Sequence, residues 1–309
     1  MTRASAITDQ TLLSFAEQVG ASGLVAVEGA RTRWERGGPL VPGTRLVKAP
    51  TGIVVYRPEE MTVQVRVGTL VSDLHAELAA HGQRTALPDR CGTVGGALAV
   101  GEDDVCALGV GRVRTALLQL RYVSADGKLI TGGGPTVKNV SGFDLPRLMV
   151  GSLGTLGLFA EATIRTNPTP AMSVWLVSDD AEPFASRDAV YRPSAVLWDG
   201  ARTWVKLEGH TSDLVAERQK LATLGKFEET YGPPALPAHR WSLRPSQLRD
   251  LDAKSTGSYI ASIGTGTVFT EQRRPPLQPD PTLQQLADRT KMNFDPENRL
   301  SPGRDPAMS

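Results

Sequence analysis

A chain of 309 residues with 34 basic and 33 acidic side chains, a formal net charge of +1 and 40% hydrophobic content has the balance of a soluble globular protein of about two domains. That charge gives no electrostatic footing for nucleic acid or an anionic membrane, and no apolar stretch approaches the roughly 20 residues that cross a bilayer, so direct membrane insertion is not expected. Two cysteines, Cys91 and Cys106, and scattered histidines offer no zinc cluster, so no metal is expected; MTRASAITDQ lacks a signal-peptide build, and the expected compartment is the reducing cytoplasm.

In chain order, TDQTLLSFAEQV (8–19) places Leu12, Leu13, Phe15, Ala16 and Val19 on one helical face behind a Thr or Asp cap. Residues 23–29 read as a strand, and 52–68 as two strand runs split near Pro58. A helix over 70–82 carries Leu70, Val71, Leu74 and Leu78 on one stripe and ends at Gly82. Loops are expected to dominate from there until RYVSADGKLI (121–130), where Asp126–Gly127 between apolar runs predicts a hairpin with Leu118, Leu120 and Tyr122 on one side. An alternating run at 158–166 predicts another strand. Beyond Pro168 and Pro170 the composition shifts, and a strand (172–178), a hairpin about Asp199–Gly200 (194–209) and a helix (212–225) predict a small α+β unit. The Pro-rich tracts 232–240 and 273–281 read as connectors, and TLQQLADRTKMNF as a last short helix.

The glycines raise a sharper question. Gly151, Gly154 and Gly157 sit three apart before the 158–166 strand. They read either as turn punctuation or as bare backbone beside a ligand, where N–H groups face phosphate or carbonyl oxygens. The P-loop pattern and the Rossmann G-x-G-x-x-G are absent; 109–114 and 264–269 carry only a lone G-x-G. Several Gly-rich loops converging on one ligand remain another way to hold a dinucleotide.

Five ordered blocks carry a family resemblance: VAVEGARTRWERGG (25–38), RVGTLVSDLHAELAAHGQRTALP (66–88), CGTVGGALA (91–99), TVKNVSGFDLPRLMVGSLGTLG (136–157) and NFDPENRLSPGR (293–304). In them the chain resembles flavoproteins with the vanillyl-alcohol-oxidase-type (PCMH-type) FAD domain, and among these the FAD-binding subunits of bacterial glycolate oxidases. The resemblance implies an α+β fold, with a two-subdomain FAD-binding domain over 1–168, a small α+β cap over 169–268 and a segment, 269–309, that returns to the FAD domain. It implies that Gly29, Ala30, Arg31 and Thr32 form a pyrophosphate turn and that Thr93, Gly95 and Gly96 form a second contact loop. It also implies that Asn139, Ser141, Gly142, Asp144, Gly151, Gly154 and Gly157 run beside the cofactor. Lys138 reads either as a cation near the flavin or as a solvated side chain, and Arg304 either as a flavin neighbour or as an exposed tail charge.

The loop 28–38 has no His, the residue that flavinylated relatives use, so FAD is expected to be noncovalent. The implied activity is oxidation of glycolate or D-2-hydroxy acids, beside a catalytic flavoprotein paralogue and an iron–sulfur subunit that take the electrons and bring any membrane association. Departures leave two alternatives open: a degenerate scaffold subunit, or a self-sufficient FAD oxidoreductase for another alcohol. Acids at Glu102, Asp103 and Asp104 stand where relatives carry a Pro-Arg-Arg element, and paired metal-ligating histidines are missing. No catalytic residue is assigned; His210, Arg202 and Lys206 are the side chains available as base or carboxylate clamp, with surface roles the commoner use.

Overall fold

The computed structural model describes residues 9–135, 144–251, 256–273 and 280–308. The chain divides into two units, one of Met1–Asp103, Val113–Pro168 and Pro276–Ser309, the other of Asp104–Arg112 and Thr169–Pro275.

In the first unit, helix α1 (Gln10–Val19) buries Leu12, Phe15, Ala16 and Val19, a spacing that keeps them on one face. Asp9 caps it, accepting from the N–H groups of Thr11 and Leu12, and takes a 2.7 Å ion pair from Arg66. Burial raises the Asp9 pKa, but the Arg66 hydrogen bond and charge, with the two backbone N–H groups, outweigh it and leave the carboxyl below its ordinary value of 3.8. A group whose folded pKa is depressed contributes stability above its unfolded pKa and loses it as pH falls through the folded value. Asp9→Asn is therefore expected to cost about 1 kcal/mol at pH 7. Urea melts should show that difference shrinking below about pH 4 and vanishing once wild-type Asp9 is protonated.

Strands β1 (Val25–Val27) and β2 (Arg45–Val47) pair in parallel, leaving 28–44 as the crossover between them. The main sheet is antiparallel, in the order β3 (Ile53–Arg57), β4 (Thr62–Arg66), β8 (Leu158–Pro168), β6 (Leu117–Val123), β7 (Leu129–Gly133), with β5 (Gln83–Thr85) also on β8. Its central strand β8 is buried over nearly its whole length, so the polar residues of its alternating pattern, Glu161, Thr163 and Thr166, are buried along with the apolar ones and mark no exposed face. Helix α2 (Val71–Ala80) buries Val71, Leu74 and Leu78. The stretch expected to be loop contains helices α3 (Val94–Val100), α4 (Ala107–Val110) and α5 (Val113–Ala116). Helix α6 (Leu145–Met149) follows the second hairpin strand.

Near the C-terminus, the buried carboxylate of Asp295 takes Lys291 Nζ at 2.6 Å and the N–H groups of Arg299 and Leu300. Arg299, 2% exposed, donates to the carbonyls of Gly23, Ala125, Val19 and Ser22 at 2.7–3.0 Å. Leu300 then bridges Val25 in parallel, and Ser301 N–H donates to the Val25 carbonyl.

The second unit is a seven-stranded antiparallel sheet with strands β9 (Met172–Ser178), β10 (Ala195–Trp198), β11 (Thr203–Gly209), β12 (Glu228–Thr230), β13 (His239–Ser242), β14 (Tyr259–Ser262) and β15 (Thr267–Thr270), in the order β12-β9-β11-β10-β14-β15-β13. Helices α7 (Pro183–Ala189) and α8 (Thr211–Ala222) pack on it, over a core that includes Leu176, Val196, Val205, Leu207, Leu221 and Tyr259. The tract read as a connector at 232–240 thus runs into strand β13, which pairs with β15. Residues 104–112 join this unit through a buried polar network: Lys206 Nζ lies 3.5 Å from Cys106 Sγ and 2.8 Å from Glu208, which accepts from Ser194 Oγ at 2.5 Å. Burial, reinforced by Asp104, pushes the Cys106 thiol up to about 12, so it stays protonated. Gly109 is bare because a Cβ there would lie 2.1 Å from Ser194 Oγ.

Candidate functional site

The first unit contains a cleft with two joined compartments. One, of about 110 Å³, is lined by Arg31, Thr32, Arg33, Trp34, Arg36, Leu40, Val100 and Arg304. The other, of about 300 Å³, is lined by Lys48, Ala49, Val67, Leu70, Gly95, Gly154, Leu158 and Phe159. Val27, Gly29, Ala30, Thr93, Gly96, Ala99, Leu153 and Ser301 face both. One half is therefore cationic and the other largely apolar.

The cationic half is built for an anion. After β1, none of the backbone N–H groups of residues 29–33 has an acceptor among the described residues. Arg33 has a side chain only 7% exposed, yet its Nη2 makes no hydrogen bond and its Nε has only the Glu102 carboxylate, 3.7 Å away. Buried donors left unmade are expensive, so a ligand that accepts from them recovers that cost. Arg31 and Arg304 each lie 5.0 Å from the centre of the Trp34 ring, and Arg304 is held by the carbonyls of Arg36 and Gly38. Arg304 thus lines the cleft and is not fully exposed. Three non-glycine residues in the left-handed region, Arg31 (φ 57°), Leu153 (φ 54°) and Ser301 (φ 45°), line the cleft, where conformations costing of order 1–3 kcal/mol each persist only under local constraint.

Of the residues singled out in the sequence, Gly29, Ala30, Arg31, Thr32, Thr93, Gly95, Gly96, Gly154 and Arg304 line the cleft. Lys138, Asn139, Ser141 and Gly142 lie outside the described residues. Asp144 caps α6, accepting from Arg147 N–H, and pairs at the surface with the Arg147 side chain. The reason for bareness differs from glycine to glycine. A Cβ on Gly95 would press on Val67 at 3.1 Å, and one on Gly29 would meet Thr93 Oγ1 at 2.7 Å, the oxygen that caps α3 by accepting from Gly96 N–H. Gly151 (φ 87°) and Gly154 (φ 75°) need the left-handed region. Gly157 makes room for a ring of the protein itself: its Cβ would lie 2.4 Å from Tyr122 Cδ2. Gly157→Ala is accordingly expected to cost about 1–3 kcal/mol by overpacking. A thermal melt should record that loss while cofactor affinity, read by titration, stays at the wild-type value.

Arg33, Arg36, Leu153 and Ser301 are site residues that the sequence reading did not single out. Arg33 and Arg36 stand inside the 25–38 block, and the alternation of basic residues at 31, 33 and 36 was the available signal.

An FAD binding domain family matches residues 10–133. Glycolate oxidase subunit GlcE of Escherichia coli (strain K12) is 31% identical over 226 residues, which cover 69% of this chain and 65% of that one. Residues 10–133 of the chain thus carry an FAD binding domain. D-lactate dehydrogenase of Archaeoglobus fulgidus is 49% identical over 76 residues, 25% of this chain and 17% of that protein. The match therefore spans less than two thirds of either relative's length. Among solved structures, an alkyldihydroxyacetonephosphate synthase shares the fold with a TM-score of 0.66 at 12% identity, covering 94% of this chain and 73% of that one.

For a chain with an FAD binding domain the cofactor is FAD, and the donor set suits it. The unbonded N–H groups of residues 29–33 and the guanidinium of Arg33 fit a diphosphate, and the apolar walls around Val67, Leu158 and Phe159 fit a flat ring system. Among the described residues no cluster of three or more His, Cys, Asp and Glu side chains forms a metal site, and no helix is long and apolar enough to cross a membrane.

Proposed function

We propose that this chain is the FAD-binding subunit of a glycolate-oxidase-like 2-hydroxyacid dehydrogenase, that it holds FAD noncovalently in the cleft, and that it works with a catalytic flavoprotein paralogue and an iron–sulfur subunit. The observation that carries the reading is the pairing of an unsatisfied, buried anion cradle with an adjoining apolar compartment. The likeness to E. coli GlcE, a glycolate oxidase subunit by name, supports the substrate class. Bound flavin supplies a two-electron acceptor for the hydride of a 2-hydroxy acid. Residues 29–33 and Arg304 hold its anionic part, Gly96 and Thr93 keep the passage between compartments open, and the second unit serves as the cap.

The side chains available in the second unit favour turnover that depends on a partner. Lys206 is neutralised by Glu208 on a central strand, Arg202 pairs with Asp199 across the β10–β11 turn, and His210 is the exposed cap of α8. A general base supplies about 10²–10⁴-fold, and a chain without one forfeits that factor. The test is reconstitution with FAD followed by anaerobic mixing with glycolate and D-lactate, alone and with the partner subunits. A yellow protein that bleaches slowly alone and rapidly in the complex is the expected result. Failure to take up FAD, or bleaching by the lone chain at the rate of the complex, overturns the proposal.

A further inference from the structure

The acidic departure at Glu102 has a place in this site. Glu102 is 2% exposed and stands directly after the cap of α3, the helix that lines the cleft through Gly96, Ala99 and Val100. Two guanidinium groups converge on its carboxylate: Arg90 Nη2 lies 3.1 Å from Oε1, and Arg33 Nε lies 3.7 Å from Oε2. Arg33 is seated from two further sides. Thr32 Oγ1 accepts from its Nη1 at 3.5 Å, and Gly92 is bare beneath it, since a Cβ there would lie 2.6 Å from that same Nη1. At the next residue Asp103 Oδ1 accepts from Val113 N–H at 2.9 Å, pinning the point where the chain leaves the first unit to the point where it returns.

Resting on the FAD reading above, we infer that Glu102 is a positioning residue that holds the Arg33 guanidinium in the anion cradle and so sets the affinity for the cofactor's diphosphate without touching it. An arginine side chain carries about 2 kcal/mol of rotamer entropy, and a ligand that must order it loses that much affinity. A counter-ion fixed to the end of a helix orders it in advance. The same carboxylate also acts by Coulomb's law, and there the sign is opposite: a negative charge beside an anion site weakens anion binding. Removing the charge therefore separates the two effects. Coulomb repulsion alone makes Glu102→Gln bind FAD more tightly, whereas loss of positioning makes it bind more weakly.

The experiment titrates apoprotein with FAD, ADP and riboflavin, following flavin fluorescence and, for ADP, heat. Glu102→Gln is expected to raise the Kd for FAD and ADP about tenfold, and to leave that of riboflavin, which lacks the phosphates, unchanged. In an Arg33→Gln background the same substitution is expected to add nothing, because its effect passes through Arg33. Glu102→Asp, which keeps the charge but withdraws it by one methylene, is expected to lose affinity in the same direction by a smaller factor, and it serves as the readout if the glutamine variant does not fold. Unchanged or tighter FAD binding in Glu102→Gln with wild-type FAD binding intact overturns the inference and leaves the FAD reading standing. Equal losses for FAD and riboflavin, tracking a lowered melting temperature, also overturn it by reducing Glu102 to a structural role. Failure of the wild type to bind FAD overturns both.

Discussion

Replacing Arg299 with alanine is expected to be the most damaging single change in the first unit. Its guanidinium donates to four main-chain carbonyls, those of Val19 at the end of α1, Ser22 and Gly23 between α1 and β1, and Ala125 in the β6–β7 turn. Truncation takes the donor from the carbonyls of Ser22, Gly23 and Ala125, while that of Val19 keeps Arg45 Nη2 at 2.9 Å, and Asp295 loses a neighbouring positive charge that Lys291 only partly replaces. A loss of about 3–5 kcal/mol follows from breaking such a buried, charge-assisted set. That is a large part of the roughly 5–15 kcal/mol by which domains are stable. Denaturant melts should show a midpoint displaced far below wild type, with FAD uptake lost in parallel because Ser301 and Arg304 line the cleft two and five residues further on. Arg299→Lys should recover little, since one ammonium cannot reach four carbonyls in the fork geometry that the guanidinium uses. A wild-type melting curve for Arg299→Ala would refute the stapling role.

The second large effect is expected at Gly96, and it falls on ligand binding with the fold retained. Gly96 faces both compartments. A Cβ there meets only Thr93 Oγ1, at 3.3 Å, a contact that a small shift relieves. The γ-carbons of Gly96→Val enter the passage that the dinucleotide must occupy. FAD Kd should rise at least about 100-fold, equivalent to about 2.7 kcal/mol. The melting temperature of the apoprotein should move only slightly, because valine is at least as good a helix residue as glycine. Retention of FAD at wild-type stoichiometry and affinity would place the cofactor elsewhere.

Much of the first unit was legible because its elements are long and periodic. Helices α1 and α2 announce themselves through Leu12–Phe15–Val19 and Val71–Leu74–Leu78, and the hairpin of β6 and β7 through Asp126–Gly127. Helix α3 was hidden because its seven residues include Gly95 and Gly96, poor helix formers, of which Gly95 is bare where the side chain and carbonyl of Val67 approach closely. The four-residue strands β14 and β15 carry too few alternations to separate from loop, and only their pairing in the sheet defines them. Residues 104–112 are contiguous in sequence with the first unit but held by Lys206, about a hundred positions away, and no local pattern encodes that.

The site was legible in part for a similar reason. The glycine loops mark where backbone is bare, and nine of the residues singled out do line the cleft. They do not mark what needs the space: Gly157 answers to Tyr122, Gly92 to Arg33 and Gly95 to Val67, and each answer requires knowing which distant side chain arrives. Glu102 was the most opaque. As sequence it looked like a defect in a cofactor loop; its partners Arg33 and Arg90 show a carboxylate enclosed by cations.

The parallel bridge between Val25 and Leu300 bears on how the protein is made. The cleft is lined by residues 26–36 and by residues 301–304, so one wall is translated long before the other. At roughly 5–20 residues per second, ribosomal synthesis separates the two by about 15–60 s. Throughout that interval Val25, fully buried in the finished protein, waits for its neighbour. Until residues 301–304 are made the nascent chain cannot trap FAD in a complete site, and for that time the open edge is exposed to aggregation.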